Sequence, residues 1–210
     1  MTWHNWAGNV TATPRRVAAP GSALEVADEV AKAGSDGLSI RMAGTGHSFT
    51  PAVSTDGVLL RPDRLTAVRS IDKEAGLVTV EAGCPLRVLN AELYAHGLSL
   101  TNMGDIQVQT VAGATQTGTH GTGRASGGMA AQIAALELVL ADGGVVTCSA
   151  DDRPDLFAAA RVGLGALGLV TAVTFRVEPT FLLHAREEPM RWSEVISRLP
   201  ELVSENEHFE

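Results

Sequence analysis

Aromatic residues are scarce in this chain of 210 residues: they make up 4% of it, with a single tyrosine. Apolar residues together reach 45%, enough for one domain or two small subdomains. Basic charge is short as well. The 16 Lys and Arg stand against 24 Asp and Glu, and the net charge of −8 excludes the basic stripe that nucleic-acid backbones require. The two cysteines, Cys84 and Cys148, are too few for a disulfide framework, and each reads as a small buried hydrophobe. No apolar run approaches the roughly 18 residues of a membrane span. The opening MTWHNWAGNV has neither the basic nor the apolar region of a signal peptide. The expectation is a cytoplasmic protein with no nucleic-acid or membrane partner.

Three common signatures are also missing. There is no G-K-[ST] of a P-loop, no G-x-S-x-G nucleophile elbow, and no His, Cys and carboxylate cluster at metal-ligand spacing. What the chain does have is glycine in two concentrated stretches. Ile40 to Phe49 reads IRMAGTGHSF, in which an apolar run ends on Gly44 and Gly46 and His47 follows at once. Val111 to Gly128 reads VAGATQTGTHGTGRASGG, with six glycines, one histidine (His120) and no acidic residue. Two such loops point to backbone N–H groups wrapped around a phosphate-bearing ligand, because glycine lets the main chain approach closely. The dinucleotide fingerprint G-x-G-x-x-G fails at Phe49, and Pro51 argues against the helix that should follow it. A Rossmann-type NAD site is disfavoured on that ground.

His47 has two readings: a turn histidine bonding its own backbone, or a nucleophile. Imidazole offers a neutral nitrogen near physiological pH, and that nitrogen can add to the electrophilic 8α carbon of a flavin. His120 has three readings, as a phosphate contact, a loop stabiliser, or a neighbour of the flavin ring.

The local patterns predict an α+β fold. Ser22-Ala23-Leu24-Glu25 is a capping box, followed by Leu24, Ala27, Val30 and Ala31 at helical spacing, with Gly34 ending the helix. Leu38–Ala43 and Val58–Arg61 read as parallel strands about that helix. Val68–Ile71 and Leu77–Glu81 read as a hairpin, Pro85–His96 as a helix, and Leu136–Leu140 with Val145–Cys148 as a second hairpin around Asp142-Gly143. Asp155–Val162 reads as a short helix and Val170–Val177 as a last strand, while Trp192–Val203 starts an amphipathic helix. The expected division is a first subdomain over 1–65, a second over 66–180, and the start of a further domain over 181–210.

The combination of NWAGN (Asn5–Asn9), AGTGHSF (Ala43–Phe49), VAGATQTGTHGTG and VGLGALGLVTAVT resembles the N-terminal FAD-binding domain of the vanillyl-alcohol-oxidase superfamily. Within it, the nearest likeness is to the aldonolactone oxidoreductases (gulonolactone and arabinonolactone oxidases or dehydrogenases) and the alditol oxidases. The resemblance spans nearly the whole chain. It implies two α+β subdomains clasping FAD, with Met42, Ala43, Gly44, Thr45, Gly46, His47 and Ser48 around the pyrophosphate and His47 bonded to the 8α carbon. It carries Asp105, Thr110, Gly113, Thr117, Gly118, Thr119 and His120 over as flavin neighbours, and Leu169 as a backbone contact on the adenine side. Asp105 departs from the serine of some relatives, and Gly104 matches a small-residue position near the ring, where bulk can restrict oxygen access and a glycine is compatible with an oxidase. The implied substrate is a sugar lactone or polyol, and the implied acceptor is oxygen or another oxidant. The catalytic base would lie in a C-terminal cap domain beyond this chain, so that the chain alone has a second reading as an FAD-binding module without turnover.

Overall fold

A computed structural model describes residues 1–210. The chain opens with a hairpin of β1 (Trp3–His4) and β2 (Thr11–Ala12), too short to leave a periodic signal in the sequence. A parallel sheet follows, made of β3 (Arg16–Ala18), β4 (Ile40–Met42) and β5 (Val58–Leu60) in the order β3-β5-β4, with α1 (Ala23–Ser35) between β3 and β4. The parallel strands agree with the sequence reading, and β3 is an addition from a segment read as loop. Ser22 caps α1 by accepting the Glu25 N–H at 3.1 Å, while the Glu25 carboxylate accepts from Gly21 N–H at 2.8 Å. Two details of α1 depart from expectation. Its buried stripe is Val26, Val30 and Ala33, which join a cluster with Val58 and Leu60 of β5, Val139 and Leu169, whereas Leu24 is 72% exposed in the first turn. The helix also runs through Gly34, and it is Gly37 that takes the left-handed φ of +65° just past its end.

The second half centres on a five-stranded sheet. β6 (Val68–Asp72) and β7 (Leu77–Glu81) form the first hairpin. α2 (Leu86–Ala95) then lays Leu86, Leu89 and Leu93 into the core, and β8 (Leu98–Ser99) follows. α3 (Val111–Gln116) is a short helix inside the stretch read as an irregular glycine-rich loop. Its propensity is poor, but Thr110 caps it and Val111, Ala112, Ala114 and Thr115 are buried, so packing decides the conformation. β9 (Ile133–Val139) and β10 (Val145–Ser149) form the second hairpin, α4 (Pro154–Ala160) the short helix, and β11 (Leu169–Arg176) the last long strand. The sheet order is β10-β9-β11-β7-β6, with every neighbour antiparallel. β12 (Glu178–Pro179) pairs with β8, and α5 (Trp192–Glu205) ends the chain as an amphipathic helix with no buried residue.

The fold is thus α+β with two apolar cores, the larger of which includes Phe157 and Phe175. The larger holds 22 buried residues and lies against one face of the five-stranded sheet under α2 and α3. The smaller joins Val26, Val30, Val58, Leu60 and Leu65 to Val139 and Leu169, so the two sheets meet through α1. On the other face of the large sheet, Arg69 bridges Glu81 and Glu137 at 3.2 and 3.0 Å, and Thr171 donates to Glu137 at 2.7 Å. No helix is long and apolar enough to cross a membrane.

Both cysteines are buried and unpaired, as read from the sequence. Burial pushes the Cys84 thiol up to about 11 from its ordinary 9.0, with Glu81 adding to the effect. Folding therefore favours the protonated thiol. Above pH 9 the unfolded chain binds fewer protons than the folded one, so stability falls as the pH rises from about 9 to about 11. Two outcomes are expected. The urea midpoint drops across that window, and iodoacetamide modifies Cys84 only once the chain is unfolded. Rapid alkylation of the native thiol would contradict this placement.

Candidate cofactor site

Between β4 and β5 the chain crosses the end of the parallel sheet as a loop without helix, in keeping with Pro51. That loop forms one wall of a cleft of about 950 Å³, part of it open to solvent. The opposite wall is the start of α3 together with the turn into β11, including Thr110, Gly113, Gly165 and Leu169. Two glycine-rich segments more than 60 residues apart in sequence thus face each other.

Their approach depends on glycine at two positions. A Cβ on Gly44 would lie 2.2 Å from Thr110 Oγ1, so the loop touches the α3 cap with no room for a side chain. Gly46 has φ +73°, and its Cβ would come within 3.1 Å of the Trp3 ring. The consequence is a run of main chain with its donors free. The backbone N–H groups of Gly44, Thr45, Gly46, His47 and Ser48 donate to no acceptor in the protein. Backbone donors are rarely left unpaired, and a consecutive row of them is the standard means of holding a phosphate.

The side chains around the cleft agree with an anionic ligand. No aspartate or glutamate lines it, and Arg41 is its one arginine, in no ion pair. Gln109 also lines it, and its buried Oε1 lacks a hydrogen-bond partner, which leaves an acceptor for a ligand donor. His47 is half-buried at the mouth, its Nδ1 3.1 Å from Thr45 Oγ1. Thr110 Oγ1 accepts from Gly113 N–H at 3.2 Å, and Thr117 donates to the Gly113 carbonyl at 2.8 Å.

Of the residues singled out in the sequence, Met42, Gly44, Thr45, Gly46, His47, Ser48, Thr110, Gly113, Thr117 and Leu169 line this one cleft. Ala43 is fully buried behind it. Gly118, with φ +72°, Thr119 and His120 continue beyond α3, outside the lining, and Asp105 is exposed on the neighbouring loop. Those two loops touch: a Cβ on Gly104 would lie 3.1 Å from the His120 carbonyl. Thr119 connects back to the cleft through Gln109, whose amide lies 3.4 Å from its hydroxyl. Arg41, Gln109, Gln116 and Leu164 line the cleft without having been singled out. Arg41 had a signal, a lone cation in an apolar strand leading into a glycine turn. Gln116 and Leu164 lie inside VAGATQTGTHGTG and VGLGALGLVTAVT, two of the segments that carry the resemblance, whereas Gln109 lies outside every such segment and only the fold brings it to the cleft.

An α+β scaffold that presents a row of free N–H groups, an uncompensated arginine and no carboxylate is a domain built for a phosphate-bearing cofactor. A family model described as "FAD binding domain" matches residues 14–149. The chain belongs to this FAD-binding family, of the vanillyl-alcohol-oxidase type, and FAD is its cofactor. It is 41% identical over 208 residues to an L-gulono-1,4-lactone dehydrogenase of Mycobacterium tuberculosis, covering 99% of this chain and 48% of the relative. It is 37% identical over 209 residues to an L-gulonolactone oxidase of Mus musculus, covering 100% and 48%. To an alditol oxidase of a Streptomyces species it is 42% identical over 179 residues, covering 84% and 42%. The chain spans about half the length of the curated relatives it matches.

Proposed function

We propose that this chain is the FAD-binding part of an oxidoreductase that oxidises a sugar-derived alcohol or an aldono-1,4-lactone, with His47 as a covalent tether to the flavin. The observation that carries the reading is the row of free N–H groups from Gly44 to Ser48, which ends beside the one histidine in the cleft wall. In this reading those donors and the Arg41 guanidinium hold the pyrophosphate, and Gln109 and Thr110 sit along the cofactor. Residues 1–65 and 66–180 act as two subdomains clasping it, and 181–210 begin the substrate domain. The chemistry that FAD supplies when bound is the acceptance of hydride from a hydroxyl-bearing carbon. The activities of the relatives support the substrate class, with oxygen or another oxidant as the final acceptor. Two free, buried cysteines are in keeping with a cytoplasmic setting.

One observation favours a second reading for the chain by itself. No carboxylate lines the cleft and its one histidine, His47, is committed to the tether, so no side chain there is left as the base for a substrate hydroxyl, and the chain alone would be an FAD-binding module without turnover. Anaerobic mixing of the FAD-loaded chain with L-gulono-1,4-lactone or xylitol separates the two. Bleaching of the flavin band is the expected outcome for a complete oxidising site. FAD retained without bleaching supports the module.

A further inference from the structure

The turn Asn5–Asn9 contributes nothing to the cleft wall, yet it is bonded to the loop that carries His47. Trp6 N–H donates to the Gly46 carbonyl at 2.8 Å. The Asn5 amide donates to the Ser48 carbonyl at 2.9 Å, and the Asn9 amide to the Phe49 carbonyl at 3.0 Å. Asn5 is only 5% exposed, and its Oδ1 accepts from Val10 N–H at 3.0 Å, which fixes the orientation of its amide. The carbonyls on both sides of His47 are thereby pinned to one short turn.

On that pinned loop the imidazole meets two side chains. Thr45 Oγ1 lies against Nδ1, and the Trp6 indole stacks on the ring with centroids 5.2 Å apart and planes 16° from parallel. Trp6 is 67% exposed, so burial of its indole does not account for its place.

We propose that Trp6 is a positioning residue for His47: its indole is the platform that holds the imidazole plane ready for attachment to the flavin. The inference rests on the tether reading above. Attachment forms one C–N bond between an imidazole nitrogen and the flavin 8α carbon. One C–H proton of the methyl group and the imidazole N–H proton are released, and the electron pair is left on the isoalloxazine ring. Dissolved dioxygen then takes that pair and two protons as hydrogen peroxide. A step that needs two rings aligned is sensitive to orientation, and a misplacement of about 1 Å can cost about 100-fold.

The test follows attachment in the cofactor-free chain after FAD is added, as flavin fluorescence that stays on the denatured band. Wild type is compared with Trp6→Leu, which keeps apolar bulk without an aromatic face, and with Trp6→Phe. NMR of the His47 ring protons, identified by their loss in His47→Ala, reads the stack without any cofactor. The expected result is attachment about tenfold slower in Trp6→Leu, restored in Trp6→Phe, with reversible FAD affinity within about twofold of wild type. The His47 ring protons should lose their upfield shift in Trp6→Leu and keep most of it in Trp6→Phe. Wild-type attachment rates in Trp6→Leu would overturn the positioning role and leave the tether standing. Absence of attached flavin in the wild type would overturn the tether, and this inference with it.

Discussion

Gly44→Ala is expected to weaken FAD binding at least about 100-fold, equivalent to about 2.7 kcal/mol, while the chain stays folded. The added Cβ would lie 2.2 Å from Thr110 Oγ1, a separation that folded side chains do not adopt, and a tight 3.2 Å from its Cγ2. Either Thr110 must rotate or the loop must retreat. Rotation removes the oxygen that accepts the Gly113 N–H and uncaps α3, at a cost of about 1 kcal/mol. Retreat moves the row of free N–H groups away from the opposite wall, which is the loss that affinity reports. The overpacking itself costs about 1–3 kcal/mol of stability. Thr110→Ala alone loses the cap and one side chain along the cofactor but leaves the loop where it is, so it should weaken FAD binding far less than Gly44→Ala does. The double variant Gly44→Ala with Thr110→Ala removes the obstructing hydroxyl and should recover much of the lost affinity, a strong positive coupling between neighbours. Flavin fluorescence titration measures all four proteins, with circular dichroism as the check on folding. Equal affinity in Gly44→Ala and wild type would mean that FAD does not depend on this close approach.

His47→Ala is expected to abolish attached flavin completely while leaving FAD reversibly bound. The substitution removes the only imidazole in the cleft wall but none of the backbone donors from Gly44 to Ser48. FAD should therefore still load into the variant, and all of it should leave on denaturation. Fluorescence that stays on the denatured band of this variant would show that another residue makes the bond.

Much of the scaffold was legible because its signals are local. Ser22 and Glu25 announce the start of α1, Asp142-Gly143 announces the β9–β10 turn, and Leu86, Leu89 and Leu93 mark the buried face of α2. The misreadings share a cause, which is that packing overrides propensity. The VAGATQ segment is rich in small residues and polar groups, so on its own it reads as loop, and it is helical because Thr110 caps it and the large core covers it. Leu24 falls at the spacing of a buried stripe, but the cluster shared with Val58, Leu60, Val139 and Leu169 selects Val26, Val30 and Ala33 instead.

The site was legible in its first half. The turn at Gly44 to Ser48 carries its chemistry in consecutive residues, so composition and order are enough to pick it out. The far wall is assembled from the second glycine-rich stretch, with Gly113, Gln116 and Thr117, together with Gln109, Leu164 and Gly165, and no local pattern links the two parts. Leu169 was reached through family likeness rather than through any property of its own segment. The same likeness singled out Asp105 and His120, which lie together on a pair of loops beside the cleft rather than in its lining.

The central claim is a flavin held covalently in the cleft of Gly44 and His47. Its most direct test is a visible spectrum of the purified chain after incubation with FAD, followed by flavin fluorescence of the denatured band in a gel. The account predicts a yellow protein whose fluorescence stays with the polypeptide. A yellow protein that releases all of its flavin on denaturation would contradict the tether, and a colourless one that cannot be loaded with FAD would contradict the site itself.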